Sequence, residues 1–108
     1  MARTSNARVV LVTCGSVAEA RKIAKAVVGE RLAACVNVIS APVESVYRWK
    51  KKVERAREFL MIIKTTKRRL AQLELEITRL HSYEAPEFLA IEVADGSKKY
   101  LKWLIDSA

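Results

Sequence analysis

Residues 9–12 read Val9-Val10-Leu11-Val12, an unbroken apolar run between Arg8 and Thr13. Such a run predicts a short central strand buried on both faces. Cys14-Gly15 breaks it. Ser16-Val17-Ala18-Glu19 then has the form of a capping box, a hydroxyl at the cap and a carboxylate three residues on. The spacing of Val17, Ala20, Ile23, Ala24, Val27 and Val28 predicts a helix with one apolar face, weakened at Gly29 and left at Arg31. Leu32–Ile39 is apolar except for Asn37, Pro42 interrupts, and Val43–Trp49 resumes. This predicts one long strand, kinked at the proline. Lys50-Lys51-Lys52 is its turn and Val53–Thr66 the return strand. The return strand is polar at Glu54, Arg55, Arg57 and Glu58 and apolar over Phe59-Leu60-Met61-Ile62-Ile63. The polar outer half of the hairpin is therefore expected to project beyond the domain.

Thr66 is placed to cap the next helix, in which Leu70, Leu73, Ile77 and Leu80 recur at helical spacing up to about His81. Pro86 biases Ala85 away from helical geometry, so the helix ends before it. Phe88–Val93 predicts a strand, Asp95-Gly96-Ser97 a turn and cap, and Lys98–Ile105 a closing helix with Leu101, Leu104 and Ile105 as its stripe. Strand, helix, strand, strand, helix, strand is an α+β order, the ferredoxin-like β-α-β-β-α-β sandwich, here with a long β-hairpin and a C-terminal helix. Its central strands are the first and third, the two runs that are apolar on both faces. Helices cover one face of such a sheet. An open apolar second face is an aggregation liability, so a further copy of the chain is expected against it.

Composition narrows this to one domain, residues 8–108, behind a short flexible polar leader, residues 1–7. No apolar run approaches the roughly 20 residues of a membrane span, and the leader lacks the core of a signal peptide. The expected location is cytoplasmic, with no membrane partner. Cys14 and Cys35 form no C-x-x-C pair and read as two buried thiols. Twenty basic residues against 12 acidic give a net charge of +8, concentrated at Arg48, Lys50–Lys52, Arg55, Arg57 and Lys67–Arg69. This reads as a solvated surface. A nucleic-acid module on the same plan would stack bases on central-strand aromatics. Glu58–Ile62 offers one aromatic and none of the expected pattern, so no specific nucleic-acid partner is expected. No nucleophile elbow, phosphate loop or H-E-x-x-H is present, so the chain is not expected to be an enzyme.

The densest chemistry is Leu80-His81-Ser82-Tyr83-Glu84-Ala85-Pro86-Glu87, which holds the lone histidine. In the last helical turn, His81 would be favoured in its protonated form by the free carbonyls there. The plainer reading is a helix stop in which His81 and Tyr83 satisfy backbone groups.

Five segments in order resemble the CutA divalent-cation tolerance family: Arg31–Asn37 (RLAACVN), Ser45–Trp49 (SVYRW), Leu60–Thr66 ending IKTT, Leu80–Glu87, and Tyr100–Trp103 (YLKW). The likeness runs from about Val9 to Ile105. It implies a homotrimer built through the long hairpins, a likeness to PII-type signalling trimers, and a role in tolerance to copper and other divalent cations. It also implies Cys35, His81 and Glu84 as candidate metal ligands, a thiol, imidazole and carboxylate set suited to divalent copper. No organic cofactor is implied. The alternative is a small-ligand-sensing trimer, with ligands at subunit clefts lined by Tyr47, Trp49, Lys64 and Tyr83 beside His81 and Glu84, and no dedicated metal site. Glu84 is the expected partner of Lys64. Two positions depart from the family pattern. Ser82 stands where a proline is usual, and Lys51 where the hairpin tip usually carries glycine, so a remodelled tip is expected.

Overall fold

The computed structural model describes Ala2, Arg3 and residues 5–108, the first two by backbone alone. Strand β1 (Ala2–Arg3) is followed by β2 (Ala7–Cys14) and helix α1 (Val17–Gly29). Then come β3 (Cys35–Val38), β4 (Val43–Trp49) and β5 (Lys52–Thr66), a 3-10 turn (Lys67–Arg69) and α2 (Leu70–Leu80). Strands β6 (Leu89–Glu92) and β7 (Asp95–Gly96) and helix α3 (Lys98–Ser107) close the chain. The main sheet runs β3-β5-β2-β6, with β4 also on β5, and every pairing is antiparallel. The doubly apolar runs in β2 and β5 do lie at its centre.

Register sorts the side chains between two faces. Val10, Val12 and Cys14 oppose Ile63, Met61 and Phe59. Val10, Val12, Cys14, Met61 and Ile63 are fully buried beneath Ala20, Ile23 and Val27 of α1 and Leu73 and Ile77 of α2. Each such aliphatic contributes about 1.5–3 kcal/mol against exposure. The intervening residues Val9, Leu11, Leu60 and Ile62 are only partly covered, and Leu89 and Ile91 beside them are 57% and 48% exposed. Helix α3 covers only the Ala7 end of that face, through Leu101 and Leu104.

The predicted kinked strand is two strands. Between Val38, opposite Met61, and Val43, opposite Glu58, one strand spends five positions where β5 spends three. The excess two residues and Pro42, which has no N–H, break the ladder. Beyond the break β4 and β5 pair out to Trp49 and Lys52 and give the molecule extents of 44 × 25 × 25 Å. The tip is a two-residue turn with positive φ at Lys50 (49°) and Lys51 (69°). It keeps the tight hairpin form rather than being remodelled, and left-handed geometry costs a non-glycine residue roughly 1–2 kcal/mol.

Three local expectations change. Ser16 caps α1, accepting from the Glu19 N–H at 3.1 Å, but the Glu19 carboxylate does not turn back to complete the box. Thr66 precedes the 3-10 turn without capping it, and its buried hydroxyl has no partner among the described residues. Strand β2 starts at Ala7, one residue before the expected domain boundary, and Ser5 Oγ donates to the Val93 carbonyl at 2.9 Å. For the expected leader, Met1 and Thr4 lie outside the described residues, while the backbone of Ala2–Arg3 pairs with Asp95–Gly96.

Candidate functional site

Helix α2 ends at Leu80, and His81 follows in extended geometry, its N–H still donating to the Ile77 carbonyl at 2.9 Å. The imidazole is fully buried. Its Nδ1 accepts from the Tyr83 N–H at 3.0 Å, so it carries no proton. The proton is on Nε2, which donates to the Thr13 carbonyl at 2.8 Å. His81 is thus a neutral ring that satisfies two backbone groups, not a cation in the last turn. The plainer reading of the sequence holds for His81, whereas the Tyr83 hydroxyl donates to the Glu58 carboxylate and not to a backbone group.

The same Nε2 lies 3.6 Å from Cys14 Sγ, at the end of β2. Burial, then the charges of Glu19 and Glu58, push the Cys14 thiol up to about 12. It is a protonated thiol at rest. The Glu19 carboxylate accepts from the Ser82 N–H at 2.6 Å and from Ser82 Oγ at 3.0 Å, and stands 3.7 Å from His81 Nδ1. A proline at position 82 could not make the first of these bonds. The departure at Ser82 therefore ties the loop after α2 to the first turn of α1.

The inferred ligand set is not assembled within one chain. Cys35 is opposite Lys64 and Cys14 opposite Phe59, five positions apart along β5, or roughly 17 Å at the usual rise. Cys35 also belongs to the open-face row. Glu84 is exposed, while His81 is buried. Among the described residues no three His, Cys, Asp or Glu side chains form a group able to hold a metal ion. Within the chain it is Cys14, not Cys35, that meets the histidine, because that choice depends on strand register and not on spacing.

A separate concavity of about 610 Å³ opens at the root of the hairpin. Tyr47 and Trp49 of β4 and Tyr83 and Glu84 of the loop line it, four of the six residues that the ligand-cleft reading grouped at a subunit cleft, and His81 does not. Nor does Lys64. Its ammonium donates to Asn37 Oδ1 at the far end of the sheet, so Glu84 is not its partner. The sequence reading missed Thr13, Glu58 and Glu87. Glu58 was read as part of the polar outer hairpin. It is 8% exposed, and its Oε2 accepts from the Tyr83 hydroxyl at 2.8 Å. A carboxylate next to the apolar run Phe59–Ile63 was the available signal.

The sequence profile of the CutA1 divalent ion tolerance protein family matches residues 8–107. A divalent-cation tolerance protein CutA of Thermus thermophilus is 45% identical over 96 residues, covering 89% of this chain and 92% of its own. The chloroplastic protein CutA of Arabidopsis thaliana is 42% identical over 99 residues, 92% of this chain but 54% of that longer one. The solved structure of a divalent cation tolerance protein from Thermus thermophilus superposes with a TM-score of 0.91 at 42% identity, covering 94% of this chain and 97% of that one.

Proposed function

Since the chain belongs to the CutA1 divalent ion tolerance family, we propose that it serves tolerance to divalent cations by binding them, copper in particular, as a homotrimer of ferredoxin-like protomers. The observation that carries the metal reading is the 3.6 Å approach of Cys14 Sγ to His81 Nε2. Thiolate and imidazole favour copper and zinc over magnesium, which prefers oxygen and keeps its waters. Loading the pair would release the thiol proton and move the Nε2 proton to Nδ1, giving up the bonds to the Thr13 carbonyl and from the Tyr83 N–H, so binding releases a proton and strengthens as pH rises. Two donors fall short of the usual three or four. The pair is fully buried, so the remaining donors can reach it only when the site opens.

The trimer is supported by the open sheet face. Leu89 and Ile91 are about half exposed, alongside partly covered Val9, Leu11, Leu60 and Ile62. A contiguous exposed apolar face of this kind marks an interaction surface. A PII-like signalling role would follow if metal loading altered that assembly.

Calorimetric copper titration tests the assignment. Cys14→Ser and His81→Ala should each lose binding, and Cys35→Ser should retain it. Full binding by Cys14→Ser would remove the pair from consideration. Light scattering of the wild-type protein should give the mass of three chains, and of Leu89→Asp/Ile91→Asp a smaller one.

A further inference from the structure

We propose that the concavity at the root of the hairpin binds a small organic cation, an ammonium or guanidinium head on an apolar body, between Glu58, Glu84 and Glu87 and the rings of Tyr47, Trp49 and Tyr83. This stands apart from the metal reading, because neither Cys14 nor His81 lines the cavity.

Charge is the first ground. The chain carries 20 basic residues against 12 acidic, yet the lining includes three glutamates and no lysine, arginine or histidine. Among the described residues no basic nitrogen comes within 4.0 Å of any of the three carboxylates. Glu58 is more than nine-tenths buried, and Tyr83 satisfies one of its oxygens without balancing its charge. A carboxylate so placed calls for a cation. Burial, and then the charge of Glu58, raise the Glu87 carboxyl above its ordinary range. A bound cation would relieve both groups at once.

Size and walls choose the kind of cation. About 610 Å³ lies within the range of roughly 300–1,000 Å³ typical of small-molecule sites and far exceeds what a bare ion fills. Hard metal ions take six or more oxygens, whereas here one oxygen of the buried carboxylate already accepts from a tyrosine. Tyrosine and tryptophan faces attract ammonium and guanidinium groups through the ring quadrupole, most strongly when water is excluded.

The test is calorimetric titration of the intact protein with benzylamine, a primary ammonium at neutral pH, beside the neutral isostere benzyl alcohol. Benzylamine should saturate one site per chain, and benzyl alcohol should not saturate. Glu87→Gln should weaken benzylamine at least tenfold. So should Glu58→Gln, in which circular dichroism checks that losing the charged acceptor of Tyr83 leaves the fold intact. Cys14→Ser should bind benzylamine like wild type. Absence of saturable benzylamine binding, equal binding of benzyl alcohol, or unchanged affinity in Glu87→Gln would overturn the proposal. So would binding that emerges only when Lys50, Lys51 and Lys52 are replaced by serine, which would assign the cavity to the basic hairpin tip of a neighbouring copy.

Discussion

The two cysteines sit at opposite ends of one sheet and on opposite faces of it. Cys14 is fully buried on the helix-covered face, with the His81 ring at 3.6 Å. Cys35 is partly covered on the open face, across from Lys64, whose ammonium is engaged by Asn37. Both are short side chains flanked by apolar or small residues. What separates them is whether the register of β2 or of β3 brings them to the loop after α2. Which cysteine meets the histidine is thus a property of the folded sheet's ends.

The largest effect should fall on copper affinity. Loss of an outer partner of a metal ligand already costs about 10–100-fold. Cys14→Ser removes a proposed ligand and should exceed that, while Cys35→Ser should change affinity by less than about threefold in the same titration. Next is stability. His81→Ala leaves the Thr13 carbonyl and the Tyr83 N–H without their partner and opens a cavity, so denaturant unfolding should show a loss of about 2–4 kcal/mol. Cys35→Ser should stay within about 0.5 kcal/mol, as substitutions away from such features do.

These contrasts also mark what could be read from the chain. The runs Val9–Val12 and Phe59–Ile63 announced themselves as central strands, because a doubly buried strand cannot alternate. The helices were legible from Ile23 and Val27, and from Leu73 and Ile77. Of the six residues expected at a subunit cleft, Tyr47, Trp49, Tyr83 and Glu84 line a concavity within one chain, and Lys64 and His81 do not. The break after Val38 was less legible. Pro42 signalled a kink, but nothing local fixes a two-residue excess against β5. Nor could the chain show that Glu19 leaves its capping box for Ser82, because the two are 63 positions apart. Contacts of that separation depend on how helices and strands pack, and the Cys14–His81 contact is of the same kind.

Alkaline pH sharpens the comparison at the Cys14 end. The folded thiol is held near 12 against an ordinary 9.0, so above about pH 9 the unfolded chain binds fewer protons than the folded one. Stability contributed by the neutral thiol is present below about pH 9 and is lost as pH rises toward 12. Cys14→Ala should flatten that part of the pH–stability curve.

Smaller effects are expected at the loop and the hairpin tip. Ser82→Pro removes the N–H that Glu19 accepts and should cost about 1 kcal/mol, read as a lower thermal midpoint. Lys51→Gly relieves a left-handed backbone and should stabilise by about 1 kcal/mol, with copper affinity untouched at both ends of the sheet.

The most direct measurement is paramagnetic resonance together with optical absorption of copper-loaded wild type, Cys14→Ser, Cys35→Ser and His81→Ala. The predicted result is a nitrogen coupling and a thiolate charge-transfer band in wild type and Cys35→Ser. The band should vanish in Cys14→Ser and the coupling in His81→Ala. A band that survives in Cys14→Ser and disappears in Cys35→Ser would contradict the assignment of the metal to the Cys14–His81 end.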